Sequence, residues 1–162
     1  MTKEEFISAA TAAARISSAT SGFPAGITAA QAALESGWGS SELSRVDNNY
    51  FGIKARPGSE AVSLPTLEYV GGAPLHVAAT FARYASMAEC FLARDSMIAS
   101  LPQYQEARSV AGDPEAFVRA LARHWATDPN YAEKVLTIYR QHGLNRLDDS
   151  LPVPDHQLPA ET

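Results

Sequence analysis

The sequence predicts an α+β domain that is mostly helical and carries one small β-hairpin. Helix-capping signals and helical spacing of apolar residues recur on both sides of the middle of the chain. Between them, "AVSLPTLEYV" and "LHVAATFARYA" flank Gly71-Gly72-Ala73-Pro74, a pattern typical of a hairpin. The 162 residues are 46% apolar and 19% charged, which suits a single domain with a buried core.

The elements before the hairpin are helices separated by loops. Thr2 and Glu5 form a capping box that opens a first helix reaching about Ser17. The segment "SSATSGFPAG" is a loop by its Ser, Gly and Pro content, and a second helix is predicted over residues 27–36. A turn-rich stretch follows, with one short helix predicted over residues 41–46.

Helix returns after the hairpin. Asp113-Pro114 and Asp128-Pro129 combine an N-cap residue with a proline suited to the first helical position. The predicted helices are 86–100, 103–110, 114–126 and a last one that starts at Asp128-Pro129 and ends at Gly143. Beyond Asn145 the chain has three prolines and little to bury, so we expect a domain over residues 1–145 and a Pro-containing tail or linker over residues 146–162.

Several classes of protein fit the composition poorly. The net charge of −5 argues against nucleic acid as a partner, and no apolar run is long enough to cross a membrane. Four histidines show no metal-ligand spacing, so we expect no metal and no cofactor. The only cysteine, Cys90, lies in a predicted helix and is expected in the core. We expect a monomer. We also expect synthesis in the cytoplasm, because the N-terminus lacks the order of segments that defines a signal peptide.

Glu35 is the most unusual charged residue in the sequence. No Asp, Glu, Lys or Arg occurs from Ile16 to Leu34, and Glu35 then ends the run "AAQAALESGWG". At 100° per residue it lies about 80° beyond Ile27, at the edge of the expected apolar face. Partial burial without a cationic neighbour favours the protonated form of a carboxylic acid, which a general acid needs. An exposed glutamate at a helix end is the plain alternative.

A hydrolase that uses one carboxylic acid usually needs a second acidic or polar group across the substrate. Glu42, Asp47 and Glu60 are candidates, but their positions in turns and loops predict surface residues. Glu68 lies on the first hairpin strand, where alternation places it on the same face as Thr66. From the residues alone, Glu68 is either a group carried over a cleft or a solvent-facing strand residue.

Four motifs together resemble one enzyme family. "ITAAQAALESGWGSSEL" resembles the catalytic motif of the bacterial endo-β-N-acetylglucosaminidases of glycoside hydrolase family 73, found in flagellar peptidoglycan hydrolases, autolysins and phage lysins. "NNYFGIKA", "PTLEYVGG…FARYAS" and "ATDPNYAEKV" are similar to its later motifs and occur in the same order. Gly26 departs from the pattern because a serine N-cap is common there, and we expect it to weaken the helix start slightly.

The resemblance implies a lysozyme-like helical body with a hairpin lobe beside a substrate cleft. It implies hydrolysis of the β-1,4 bond between N-acetylglucosamine and N-acetylmuramic acid in peptidoglycan. Glu35 then corresponds to the general acid, Glu68 to a group that activates water or stabilises charge, and Tyr131 to an assisting tyrosine. The residues expected to border the groove and contact substrate are Gln31, Ser36, Asn49 and Phe51.

Two other functions remain open at this point. A lytic transglycosylase on the same fold also needs one glutamic acid, but no base that activates water. A degenerate domain would bind glycan or serve a structural role without catalysis. Peptidoglycan glycan strands are the expected partner in all three cases. Because the substrate lies outside the cytoplasm, we expect delivery to the cell wall by another system or by a larger parent protein.

Overall fold

A computed structural model of the chain describes residues 1–149, except for the side chain of Glu68. Within these residues a helical body carries one antiparallel hairpin. The helices are α1 (Lys3–Ser21), α2 (Ala25–Ser36), α3 (Glu42–Asp47), α4 (Met87–Ser100), α5 (Gln105–Ser109), α6 (Pro114–Trp125) and α7 (Tyr131–Gln141). The strands are β1 (Ala61–Val70) and β2 (Ala73–Ala82), and short 3₁₀ turns occupy Pro102–Tyr104 and Leu144–Leu147.

Side-chain caps fix the starts of several helices, as predicted. Thr2 and Glu5 make the capping box of α1, which continues to Ser21, one turn beyond the predicted end. Asp113 accepts from the backbone N–H of Ala116 and so caps α6. The last helix, α7, begins at Tyr131 rather than at Asp128-Pro129, because the Asp128 carboxylate instead accepts from the backbone N–H of Asn130 in the turn before it.

Helix α2 lies in the centre of the body. Every residue from Ala25 to Ala33 is buried, and α2 packs against α1, α7 and the Leu144–Leu147 turn. The predicted single apolar face is therefore wrong: this helix has no solvent face until its last turn. Burial on all sides explains the absence of charge before Glu35, since an unpaired charge there would be costly.

Cys90 lies in the core, as predicted. Its thiol is fully buried and accepts from the backbone N–H of Tyr50 at 3.3 Å. Burial raises the pKa of the Cys90 thiol to about 12, which keeps it protonated and unreactive near neutral pH.

The hairpin projects from the body and is exposed along most of its length. Its turn is Gly71-Gly72 alone, both with positive φ, while Ala73 and Pro74 belong to β2. The predicted four-residue turn is thus too long. At the base, Ala82 is buried and a bridge between Phe81 and Lys54 joins β2 to the loop before β1.

The packed body continues past the predicted domain boundary at residue 145. Leu147 is buried, and the buried Asp148 carboxylate accepts from the Gly26 backbone N–H at 2.9 Å and from the Tyr139 hydroxyl at 2.7 Å. Asp148 thereby supplies the N-terminus of α2 with a carboxylate cap. The rest of the predicted tail, from residue 150, lies outside the described residues. Among residues 1–149, no helix combines the length and apolarity that a membrane span requires.

Candidate active site

An open cleft of about 680 Å³ lies beside the end of α2. Glu35 forms part of its lining, together with the 51–54 loop and the segment 125–128 that leads to α7. Tyr131, at the start of α7, completes the wall next to Glu35. Three of the four sequence motifs therefore meet at one cleft, although the third of them lies far along the chain from the other two.

Glu35 extends from the point where α2 leaves the body. Helix α2 ends in a turn in which Gly37 adopts a left-handed conformation, with φ of 56°, that favours glycine. The Glu35 side chain is exposed, so the sequence-based expectation of partial burial is wrong. Its exposure follows from the shape of the cleft, which leaves the carboxyl group open to any molecule that enters.

Tyr131 holds one oxygen of that carboxyl group. The buried phenol donates to Glu35 Oε1 at 2.6 Å. Burial and then the nearby Glu35 charge raise the pKa of Tyr131 well above its usual value. The phenol therefore stays neutral and keeps its proton for the hydrogen bond to Glu35.

Aromatic side chains form another part of the lining. Trp125 is half-buried, and its ring lies 6.2 Å from those of Phe51 and Tyr104. Phe51 lies in the cleft lining, although most of its ring is buried. A partly exposed tryptophan next to a carboxylic acid suits stacking on a sugar ring. Trp38, by contrast, packs against Phe6 and is not part of the cleft lining.

Gln31 and Ser36 were expected to contact substrate, but the structure buries both. Ser36 donates to the Ala32 carbonyl at 2.6 Å and accepts from the Gly39 backbone N–H at 2.9 Å, so it builds the turn after α2. Gln31 is fully buried, and its Oε1 accepts two bonds from Arg94. Neither side chain is part of the cleft lining.

Asn49, also expected at the groove, is buried and holds the backbone of the cleft wall by hydrogen bonds. Its amide nitrogen donates to the carbonyls of Ile53 and Ala82, each at 2.8 Å. Its oxygen accepts from the backbone N–H groups of Phe51 and Ile53. Asn49 therefore ties the cleft loop to the base of the hairpin and does not itself reach the cleft.

The acidic residues considered as second catalytic groups are dispersed. Glu68 pairs with Leu75 and lies three residues before the first turn residue, Gly71. Its side chain lies outside the described part of the structure. Asp47 is buried rather than on the surface, and Arg83 lies 3.2 Å from its carboxylate. Glu42 and Glu60 are exposed and lie outside the cleft lining, as expected of surface residues.

Sequence reasoning missed two polar residues near the site. Asp128 lines the cleft, and hydrogen bonds from Lys134 and then from Asn130 lower the pKa of its carboxyl group. Arg94 lies behind the cleft wall and is fully buried. Asp128 could have been found from its place in the motif that contains Tyr131, whereas nothing in "FLARDSMIA" marks Arg94 as a buried arginine.

A helical body with a hairpin lobe and a glutamate held by a tyrosine in an open cleft defines a lysozyme-like glycoside hydrolase. Residues 11–144 match the model of the glucosaminidase family described as mannosyl-glycoprotein endo-β-N-acetylglucosaminidase. The chain belongs to this family, which confirms the sequence-based assignment.

Named relatives and solved structures agree with this family. The chain is 38% identical over 146 residues, 85% of its length, to the peptidoglycan hydrolase FlgJ of Pseudomonas aeruginosa. It is 32% identical to the exo-glucosaminidase LytG of Bacillus subtilis over 78% of its length. The catalytic domain of the Listeria monocytogenes autolysin Auto superposes with a TM-score of 0.81 at 27% identity, covering 90% of this chain and 86% of that domain.

The chain corresponds to only part of these relatives. It spans 36% of the length of the FlgJ protein and 46% of the length of LytG. The similarity therefore concerns a glucosaminidase domain, and the relatives contain further sequence beyond it.

Proposed function

We propose that this domain hydrolyses the β-1,4 bond between N-acetylglucosamine and N-acetylmuramic acid in peptidoglycan. The observation that carries the proposal is the 2.6 Å hydrogen bond from Tyr131 to Glu35 at the surface of the cleft. Family membership and the names of the relatives, peptidoglycan hydrolase and exo-glucosaminidase, support the substrate and the bond.

In this mechanism Glu35 is the general acid. Oε1 accepts from Tyr131, so Oε2 is the oxygen left to deliver a proton to the glycosidic oxygen as the bond to the sugar breaks. The carboxylate left behind is a stronger acceptor than the acid, and the Tyr131 hydrogen bond strengthens as its charge develops. Tyr131 therefore stabilises the transition state more than the ground state.

Water completes the reaction on the oxocarbenium-like sugar. We propose Glu68 as the group that activates this water or stabilises the positive charge. Its place on the hairpin, whose base joins the cleft loop at Lys54, supports this assignment. Asp128 also lines the cleft, but its carboxylate is engaged by Lys134 and the Asn130 backbone.

We also propose that the domain acts on glycan strands of the cell wall as a monomer, after delivery by a larger parent protein or by a separate export system. The relatives support this context because their glucosaminidase domains are parts of longer proteins.

Peptidoglycan zymography combined with product analysis tests the proposal. Wild-type protein is expected to clear peptidoglycan, and Glu35→Gln is expected to abolish clearing because the amide has no proton to donate. Glu42→Gln is the matched control, since Glu42 is exposed and outside the cleft lining. Equal clearing by wild type and Glu35→Gln would contradict the role of Glu35, and no clearing by wild type would favour a glycan-binding domain.

Mass spectrometry of the products identifies the bond. New reducing N-acetylglucosamine ends are expected. Anhydro-muramyl ends would instead show a lytic transglycosylase, and reducing muramic acid ends would show cleavage on the other side of the sugar.

A further inference from the structure

A fully buried arginine lies directly behind the catalytic wall. Arg94 of α4 donates to Gln31 Oε1 through Nε at 3.1 Å and Nη2 at 2.6 Å. Its Nη1 donates to Thr28 at 2.9 Å and to the Asp95 carboxylate at 2.8 Å. These bonds satisfy a guanidinium that burial would otherwise destabilise, and they connect α4 to α2 below Glu35.

Arg94 fixes which way the Gln31 amide points. A guanidinium has donors only, so it accepts no hydrogen bond from an amide NH₂ group. The amide oxygen must therefore face Arg94, and the nitrogen Nε2 must point the other way. Among the described residues Nε2 has no hydrogen-bond partner of good geometry.

The Tyr131 hydroxyl lies on the side of α2 that carries Gln31. Gln31 is one helical turn before Glu35 on α2, so the two side chains lie on the same face, where the buried Tyr131 hydroxyl donates to Glu35 at 2.6 Å. Burial and the Glu35 charge raise the pKa of Tyr131, and the Gln31 side chain partly offsets this rise. A phenol has one proton and can also accept. Because Gln31 Nε2 only donates, the Tyr131 hydroxyl can meet it only as an acceptor, which leaves the phenol proton for Glu35.

We propose that Gln31, held by Arg94, is a positioning residue that orients the Tyr131 hydroxyl as a hydrogen-bond donor to Glu35. The proposal rests on the proposed function, since it assigns a role in the same catalytic site. It explains why an amide with one unsatisfied buried nitrogen occurs in a helix that is otherwise apolar or hydroxyl-bearing as far as Glu35. A cluster that only connected α2 to α4 would need the oxygen of Gln31 but not its nitrogen.

The test is Gln31→Glu, which is nearly isosteric. The new carboxylate keeps an oxygen for Arg94, now as an ion pair, but replaces the donor facing Tyr131 with an acceptor. The Tyr131 proton is then shared between two carboxylates. We expect kcat on dye-labelled peptidoglycan to fall roughly tenfold, the effect of about one hydrogen bond, with KM little changed.

A double-mutant cycle with Tyr131→Phe separates positioning from a general structural effect. If Gln31 acts through Tyr131, Gln31→Glu lowers kcat in the wild type but causes no further loss in Tyr131→Phe. An equal loss in both backgrounds, or no loss in either, would overturn the proposal. The proposed function is tested separately. It fails only if the wild-type protein does not cleave peptidoglycan or if the Glu35→Gln variant does cleave it.

Two further variants control for folding. Asp148→Asn is a matched acid–amide exchange at a buried carboxylate that also bonds a tyrosine, but far from the cleft lining. It is expected to change thermal stability and leave kcat unchanged. If Gln31→Glu does not fold, Gln31→Met also removes the donor without adding charge. The same loss of kcat, absent in Tyr131→Phe, is then expected, and its absence would overturn the proposal.

Discussion

Two tyrosines of α7 make nearly the same hydrogen bond in different surroundings. Tyr131 donates to the exposed Glu35 at 2.6 Å, and Tyr139 donates to the buried Asp148 at 2.7 Å. Burial is the largest cause of the raised pKa of both phenols. The two bonds differ in what the carboxylate can do if its tyrosine is removed: Glu35 can bind water, whereas Asp148 cannot.

This contrast predicts opposite effects of the same substitution. Tyr131→Phe is expected to lower kcat by about tenfold or more and to change the free energy of unfolding little. Tyr139→Phe is expected to leave kcat unchanged and to lower the free energy of unfolding by about 1–3 kcal/mol, because a buried carboxylate loses a donor. Urea denaturation and initial rates on labelled peptidoglycan measure both quantities, and a loss of stability without a loss of rate in Tyr131→Phe would contradict the role of Tyr131.

At the scale of residues, sequence patterns placed some of the predicted site residues at the cleft and misplaced others. The motifs predicted Glu35, Tyr131 and Phe51 near one site, and all three line the cleft. Gln31 and Asn49 were predicted to face substrate, but both face the interior and hold other residues in place. A polar residue inside a catalytic motif can either contact substrate or hold neighbouring residues in place, and only the packing of distant elements distinguishes these two roles.

At the scale of elements, helix α2 depends on a close approach that a sequence pattern does not show. Gly26 was expected to weaken the start of the helix, but it is required there. A Cβ atom at this position would lie 2.2 Å from the Leu144 carbonyl oxygen and 2.7 Å from the Tyr139 ring. The lack of a side chain lets the last turn of the body pack directly on α2 and lets Asp148 reach the Gly26 N–H.

Gly26→Ala is therefore expected to be strongly destabilising. Overpacking usually costs about 1–3 kcal/mol, and we expect at least the upper end because a backbone oxygen has to move. Gly112→Ala is the matched control, since an added Cβ there meets nothing within 4 Å and φ is not in the left-handed region. Chemical denaturation of the two variants measures the difference, and equal free energies of unfolding would show that the turn yields without cost.

The start of a helix could be predicted from the sequence where a side-chain cap within one turn determines it. The capping box at Thr2 and Glu5 and the Asp113 cap act within one turn, so they can be identified from sequence. The start of α7 and the length of the hairpin turn were misplaced because side-chain contacts and strand register decide them. The full burial of α2 depends on α1 and on two elements that are distant in sequence, α7 and the Leu144–Leu147 turn.

At the scale of the whole molecule, the body and the hairpin differ in how they are held. The body has one continuous core, whereas the distal hairpin exposes four large apolar side chains, Leu67, Tyr69, Val70 and Leu75. The fold class and the presence of the hairpin followed from composition and alternation in the sequence. Its outward position did not, because strand alternation does not show which surface, if any, covers a strand.

The exposed hairpin tip can be shortened without disturbing its register, which provides a test of its role. Deleting 67–70 and 73–76 keeps the Gly71-Gly72 turn and closes the hairpin at the existing pair Thr66 and Val77. The free energy of unfolding is expected to change by less than about 1 kcal/mol, because the deleted apolar side chains bury little surface.

Activity is expected to fall, because the deletion removes Glu68. If Glu68 is the hairpin's contribution to the reaction, Glu68→Gln in the full-length hairpin lowers kcat as much as the deletion does. Glu60 is exposed and outside the cleft lining, so Glu60→Gln is the control and leaves kcat unchanged. If the tip also grips the glycan through its apolar side chains, the deletion additionally raises KM. Full activity of the shortened protein would show that water is activated from the body, and Asp128 would then be the carboxylate to replace next.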